Sequence, residues 1–202
     1  MTAKFIAFEG GEGCGKSTQA KLLAERLGAV LTREPGATEI GAQLRQLMLS
    51  NSTNGLAARA EALLMAADRA QHIAEVVQPA LASGRHVVTD RFAGSSIAYQ
   101  GFGRQLPVDD ILFLSRFATN GVWPDLIIYL SVPLSESKER LPQQLDRMES
   151  ESDEFHENVR AGFQWQAENE PDRWVVIDGN QSIEQVSAAV NKVVFDRLQL
   201  EA

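Results

Sequence analysis

Gly10 to Ser17 reads Gly-Gly-Glu-Gly-Cys-Gly-Lys-Ser and satisfies the pattern G-x-x-x-x-G-K-[ST]. Gly10, Gly11, Gly13 and Gly15, with Glu12 and Cys14 between them, let backbone N–H groups turn inward around a phosphate. Thr18 continues into a helix whose N-terminus adds partial positive charge to the same point. Lys16 can reach β- and γ-phosphates, and the Ser17 hydroxyl can ligate Mg²⁺. The flanks are those a phosphate loop needs. Phe5–Phe8 before it reads as a strand, and Leu22, Leu23 and Leu27 after it mark an amphipathic helix. Such a loop establishes nucleotide binding and leaves the reaction open.

A second candidate follows the apolar run His86–Thr89, which ends in Asp90-Arg91-Phe92. An acid at the C-terminal end of a parallel strand lies where open α/β sheets bind ligands. Asp90 could hold Mg²⁺ and Arg91 could bridge two phosphates; a structural salt bridge is the alternative. A third candidate is the helical pattern over Ala57–Ala82. There Leu63, Ala67, Ala70, Ala74 and Val77 form an apolar stripe that reads as buried. Met65, Arg69 and His72 form a second stripe roughly opposite. That second face suits an ordinary surface or a partner interface, or equally the wall of a ligand cleft with Met65 on a flat ring and Arg69 donating to its carbonyls.

These residues need elements to position them. Short apolar runs at Phe5–Phe8, Ala29–Thr32, His86–Thr89, Leu126–Leu130 and Trp174–Ile177 alternate with helical patterns. Near-continuous apolar strands separated by helices predict a three-layer α/β fold around a parallel sheet of about five strands. Ser50–Gly55 reads as a polar turn between two helices. Leu141–Asp153, charged and carrying Pro142, reads as a surface loop unless neighbouring motifs call for a lid. A chain of 202 residues, 44% of them apolar, is one domain with ample core, which excludes wholesale disorder. The longest apolar run, Ala62–Ala67, spans six residues, against the roughly 20 that cross a bilayer. No signal-peptide core follows Met1. The single cysteine, Cys14, has no internal disulfide partner and fits a reducing, cytoplasmic setting. Nineteen basic against 27 acidic residues give a net charge of −8, which argues against wrapping a nucleic-acid polymer but permits a small anion in a locally basic cleft. The three histidines and the cysteine show no zinc spacing. No [NT]-K-x-D segment occurs, so a GTPase switch is excluded.

Five ordered motifs together resemble the thymidylate kinases: Phe8–Thr18, Thr32-Arg33-Glu34-Pro35-Gly36-Ala37-Thr38, Asp90-Arg91-Phe92, Ala98-Tyr99-Gln100-Gly101 and Leu145-Asp146-Arg147-Met148-Glu149. The resemblance runs from about residue 4 to residue 178. It implies a P-loop kinase fold over the whole chain, with a mobile lid at about 138–153. It also implies transfer of the ATP γ-phosphoryl group to dTMP with Mg²⁺, and a cytoplasmic homodimer with no membrane attachment. By the same resemblance Lys16 and Ser17 take the phosphates and Mg²⁺, and Glu12 approaches the substrate's sugar and phosphate. Arg91 clamps the dTMP phosphate, Arg69 bonds a thymine carbonyl, Tyr99 lies by the sugar, and Ser95, Ser96 and Gln100 neighbour the base or phosphate. Met65 stands where the family usually carries an aromatic ring on thymine. The loop holds no arginine, so the lid is expected to supply one. Arg140 and Arg147 are the candidates, and Arg140 is taken as the catalytic contact. The rival within the same chemistry is a P-loop kinase for another nucleotide or a deoxynucleoside.

Overall fold

The computed structural model describes residues 2–53, 55–141 and 143–200. Five parallel strands form one sheet: β1 (Phe5–Glu9), β2 (Val30–Arg33), β3 (Val87–Asp90), β4 (Leu126–Ser131) and β5 (Trp174–Asp178), in the order β2-β3-β1-β4-β5. Every segment read as a strand is one, displaced by at most a residue at either end. Alternation along β1 explains the three layers. Phe5 and Ala7 face Val87, Ile127, Tyr129 and Trp174, and this side is covered by Phe155, Val159 and Phe163 of one helix, α8 below. Ile6 and Phe8 face the other way, with Val88, Ile128 and Leu130. Fully burying side chains of this size contributes about 1.5–3 kcal/mol each.

The helices are α1 (Lys16–Leu27), α2 (Glu39–Leu49), α3 (Ala58–His72), α4 (Gln78–Ala82), α5 (Ala93–Ser96), α6 (Val108–Thr119), α7 (Leu134–Glu139), α8 (Asp153–Asn169) and α9 (Ile183–Leu198). α1 and α9 close the Ile6–Phe8 face through Leu23, Val186, Val190 and Val194. Side-chain caps start several of them: Thr38 accepts from the Gly41 N–H, Ser152 from that of Phe155, and Ser182 forms a capping box with Gln185. A π-helical turn, Ile73–Val77, joins α3 to α4, and a second, Ile97–Gly103, continues α5. Such turns add a residue to the helical ladder and re-aim the side chains around them. No described helix is long and apolar enough to cross a membrane.

The pattern over Ala57–Ala82 is helical, but most of the stripe read as buried is not. Val77 is buried, whereas Leu63, Ala67 and Ala74 are exposed; of the second stripe, Arg69 and His72 are 2% and 0% exposed, so of its two readings the cleft wall holds and the open surface does not. The cause is the neighbour. β2 ends in Thr32-Arg33-Glu34 and offers those polar side chains charged and hydrogen-bonding partners, so α3 turns its polar face inward.

Candidate active site

Strand register builds the site's floor. Asp90 pairs with Phe8 on one side and Arg33 on the other, and Glu9 lies opposite Tyr129, so these charged strand ends share one sheet edge. Between β1 and α1 the phosphate loop makes its turn. Gly10 has φ +146° and Gly13 φ +69°; a Cβ on either would fall within 2.7 Å of a backbone carbonyl, that of Leu130 or Ser137. Only glycine fits there. The Lys16 ammonium is buried against the loop, donating to the Gly11 carbonyl at 2.8 Å, with a Glu12 carboxylate oxygen at 3.8 Å. Ser17 opens α1 and its hydroxyl donates to Asp90 Oδ2. The other Asp90 oxygen is buried with no hydrogen-bond partner among the described residues. An orphaned carboxylate oxygen beside a serine hydroxyl is the hard-oxygen donor set that Mg²⁺ accepts, with phosphate and water completing its shell.

The Arg91 turn occupies the space above β1. Arg91 has φ +73°, a left-handed conformation uncommon for a side chain of this size. Its guanidinium donates to the Gly10 carbonyl and Ser95 Oγ, both at 2.9 Å, to Glu12, and to the Tyr99 hydroxyl at 3.2 Å. Tyr99 in turn donates to Glu12 at 3.1 Å. Burial pushes the Glu12 carboxyl up, but Arg91 and Lys16 outweigh it and hold it at about 2. Burial works against a charged Arg91, and Glu12 more than compensates, keeping the guanidinium above its ordinary value. Beneath this cluster lies Glu9, fully buried. It accepts from the Phe92 and Ser95 N–H groups at 3.0 Å and from Ser95 Oγ at 2.6 Å. Burial raises its carboxyl to about 7 despite those donors.

Away from the phosphates, the cleft becomes a flat slot. Glu34 grips the Nε of Arg69 at 2.9 Å and its Nη2 at 2.8 Å; Nη2 also donates to Ser96 Oγ at 3.1 Å. The second Glu34 oxygen holds His72 Nδ1 at 2.8 Å, and His72 Nε2 meets Thr32 Oγ1 at 2.7 Å. Arg69 is thereby fixed with Nη1 unpaired among the described residues. Met65 and Phe92 line the same slot. Gln100, on the second π-helical turn, is 1% exposed, and its Nε2 donates to Glu61 at 2.9 Å.

The segment between α7 and α8 covers this slot. Asp146 caps a turn by accepting from the Met148 and Glu149 N–H groups at 2.8 and 2.9 Å. Asp146, Met148 and Glu149 all line the cleft. The Ser50–Gly55 turn, read from sequence only as a separator, anchors the cover through the Asn51 amide on the Leu145 carbonyl at 2.8 Å. Pro142 lies outside the described residues, and so does Asn54.

The structure brings Glu12, Lys16, Ser17, Met65, Arg69, Asp90, Arg91, Ser95, Ser96, Tyr99 and Gln100 to one cleft of about 200 Å³. Neither lid arginine lines it. Arg140 donates to the Gly179 carbonyl at 3.3 Å and to Asn180 Oδ1 at 2.7 Å, beside the β5–α9 loop. Arg147 does not pair with Asp146 or Glu151, as its neighbours in sequence suggest. It reaches the Met48 carbonyl at 2.7 Å and Glu61 at 2.5 Å. Four residues escaped the sequence reading. Arg45 lines the cleft and is the only basic residue of α2, which was its one signal. Glu9 abuts the phosphate loop at the end of an apolar strand. Glu34 sits within a motif that was recognised but given no role. Glu61 left no signal, because a glutamate in a helix is usually solvated.

A parallel sheet with a phosphate loop after β1, and a covered slot for a flat ring a few residues away, defines a P-loop kinase of small phosphorylated substrates. Residues 8–190 match the family model described as thymidylate kinase. A thymidylate kinase of Bifidobacterium longum is 47% identical over 94% of this chain and 96% of its own length. One from an Exiguobacterium species is 44% identical over 98% and 97%. The fold is similar to the crystal structure of thymidylate kinase from Ehrlichia chaffeensis, with TM-score 0.79 and 33% identity over 96% of this chain and 99% of that one. The chain belongs to the thymidylate kinase family.

Proposed function

We propose that the protein transfers the γ-phosphoryl group of ATP to dTMP, giving dTDP and ADP. One observation carries the reading of the acceptor. The phosphate loop and the slot are bridged by Arg91, and the slot is lined by both a fixed guanidinium donor, Arg69, and the Gln100 amide, which suits an oxo-pyrimidine. The acceptor phosphate oxygen is already ionised at neutral pH, so no strong general base is needed. Positioning and countercharge do most of the work.

Lys16 and the loop N–H groups take the β- and γ-phosphates. Arg91, held by Gly10, Ser95 and Glu12, clamps the dTMP phosphate near the transferring group. Glu12 and Tyr99 lie at the sugar end. Met65 packs on the ring, its thioether replacing an aromatic face. Ser17 and Asp90 would hold Mg²⁺, which would supply charge neutralisation on the phosphates. The cover over residues 138–153 excludes water, and Arg140, exposed at its start, swings from Gly179 and Asn180 to the transferring phosphoryl group. A coupled ADP-release assay with dTMP, dUMP, dCMP, dGMP and thymidine tests the reading. dTMP should be preferred and thymidine inert; phosphorylation of a nucleoside, or preference for a purine, would sink it.

The functional unit is a homodimer. Leu63 of α3 and Phe113 and Phe117 of α6 are 56%, 69% and 79% exposed, and Leu63 and Phe113 line one apolar groove between these helices. Large aromatics this bare on adjoining helices suit a second copy of the same face packed about a two-fold axis. Sedimentation of wild type and of a Phe113→Glu, Phe117→Glu double variant checks this: dimer and monomer respectively. A monomeric wild type at micromolar concentration overturns it.

A further inference from the structure

Glu61 belongs to α3, is 0% exposed, and lies behind the cleft wall without lining it. One of its oxygens accepts from Gln100 Nε2 at 2.9 Å and from Arg104 Nε at 3.3 Å. The other accepts from Arg104 Nη2 at 3.2 Å and from Arg147 Nη2 at 2.5 Å. Burial pushes the Glu61 carboxyl up, but the hydrogen bonds from Gln100, Arg104 and Arg147 outweigh it and hold it below its ordinary value. An ionised carboxylate only accepts hydrogen bonds. It can therefore face only the NH₂ end of the Gln100 amide, and the Gln100 carbonyl oxygen must point the other way. That oxygen is buried and has no hydrogen-bond partner among the described residues, while Gln100 itself lines the cleft. A buried amide oxygen without a partner is a costly arrangement unless a ligand donor meets it.

On the same cleft wall, Arg69 Nη1 is unpaired among the described residues, since Glu34 and Ser96 take the other nitrogens. An acceptor and a donor lining one cleft match a ring N–H next to a ring carbonyl. It mismatches a ring nitrogen lone pair next to an amino group, which is the edge of cytosine. We propose that Glu61 is the positioning residue for base selection: it locks the Gln100 amide with its oxygen toward the cleft, so that the site accepts a pyrimidine carrying N3–H. This inference rests on the dTMP reading and names the group that enforces it.

Glu61→Gln makes the inference specific. Arg104 Nη2 and Arg147 Nη2 donate only, so they hold the carbonyl end of the new amide and turn its NH₂ toward Gln100, where Arg104 Nε gives up its longer contact at 3.3 Å. Gln100 must then present its own carbonyl to residue 61 and its NH₂ to the cleft, which suits the N3 lone pair of cytosine. We expect the dTMP-to-dCMP ratio of kcat/KM to fall about tenfold or more in Glu61→Gln, with KM for ATP unchanged. Glu61→Asp, still acceptor-only, should keep the ratio within about threefold even where overall activity drops. A folded Glu61→Gln enzyme with the wild-type ratio overturns the proposal, and so do equal falls in both variants, the mark of a merely structural role. Should neither variant fold, wild type decides. With ¹⁵N-glutamine labelling, the Gln100 amide protons, assigned by their loss in Gln100→Leu, should resist solvent exchange in both free and dTMP-saturated protein. Exchange at solvent rates would place the NH₂ in the cleft and end the argument. A wild type that ignores dTMP refutes the functional reading instead, and the exchange measurement, which needs no turnover, still settles the amide's orientation.

Discussion

Glu9 makes the stability of this protein depend on pH in a way that can be worked from its surroundings. The carboxyl is fully buried between β1 and the Arg91 turn, and burial raises it from 4.5 to about 7. Below about pH 4.5 both folded and unfolded chains carry the proton, and above about 7 both have lost it. Between these values the folded chain holds a proton that the unfolded chain has released, so stability rises as pH falls through this window and is lost as pH climbs through it. Each pKa unit is worth about 1.4 kcal/mol, so the full term is about 3 kcal/mol, and most of it falls between pH 8 and pH 5. Glu9→Gln removes the titration and keeps the contacts: the amide oxygen accepts from the Phe92 and Ser95 N–H groups, and its NH₂ donates to Ser95 Oγ. Urea unfolding of both proteins across pH 5–8 at constant ionic strength isolates the term, because every other titrating group is shared, Asp68 included, which burial and the nearby Glu34 raise to about 6. The free-energy difference between wild type and variant should change by about 2–3 kcal/mol over that range, in favour of wild type at the acid end. Parallel curves would refute the reasoning and place an ionised Glu9 in the folded core.

Lys16→Ala should retain the fold and its melting temperature while kcat falls on the order of 10²–10³-fold or more, because Lys16 is the lysine whose ammonium is held inside the phosphate loop, on the Gly11 carbonyl; turnover near wild type would overturn the phosphate-site assignment. Met65→Phe should lower KM for dTMP a few-fold and leave KM for ATP alone, since an aromatic face adds roughly 0.5–1.5 kcal/mol over an aliphatic contact; an effect on ATP instead would remove Met65 from the base slot. Arg140→Ala should cut kcat far more than it raises either KM, the mark of a contact made mainly in the transition state. Arg147→Ala, which frees Glu61 and the Met48 carbonyl, should act mainly on KM for dTMP. Steady-state kinetics on both variants side by side decides, and a kcat loss confined to Arg147→Ala reverses the two roles.

The strands and the phosphate loop were readable because each is specified locally. Doubly covered strands must be nearly all apolar, and a loop that wraps a phosphate needs glycine at Gly10 and Gly13 whatever the rest of the chain does. The partners that hold the site were not readable from spacing. Glu34 lies 35 residues from Arg69, and Glu61 lies 39 from Gln100 and 86 from Arg147. Nothing local marks a glutamate whose cation arrives from so far along the chain. Arg147 shows the converse error: Glu151, four residues on, is a plausible local partner, but Arg104 takes it at 2.6 Å and leaves Arg147 to Glu61.

The reversal of α3 follows from the same physics. Its apolar stripe and its polar stripe were both placed correctly on the helix, and the inference that apolar means inward held at Val77 and failed at Leu63, Ala67 and Ala74. Burying Arg69 alone would cost several kcal/mol, and removing one partner of a buried pair costs about 3–5 kcal/mol. The inward face is tolerable only because Glu34, Thr32 and Ser96 satisfy Arg69 and His72 together. A slot that reads hydrogen bonds on a flat ring needs fixed donors in a dry wall, and α3 supplies them by turning its polar side to the cleft. Leu63 and Ala67 are then left on the outside, where water is a poor neighbour and a second copy of the same face is a better one. In the dimer proposed above, base recognition and self-association draw on opposite sides of one helix: a charge placed on the Leu63 side should disturb assembly, and loss of Glu34 should disturb the base.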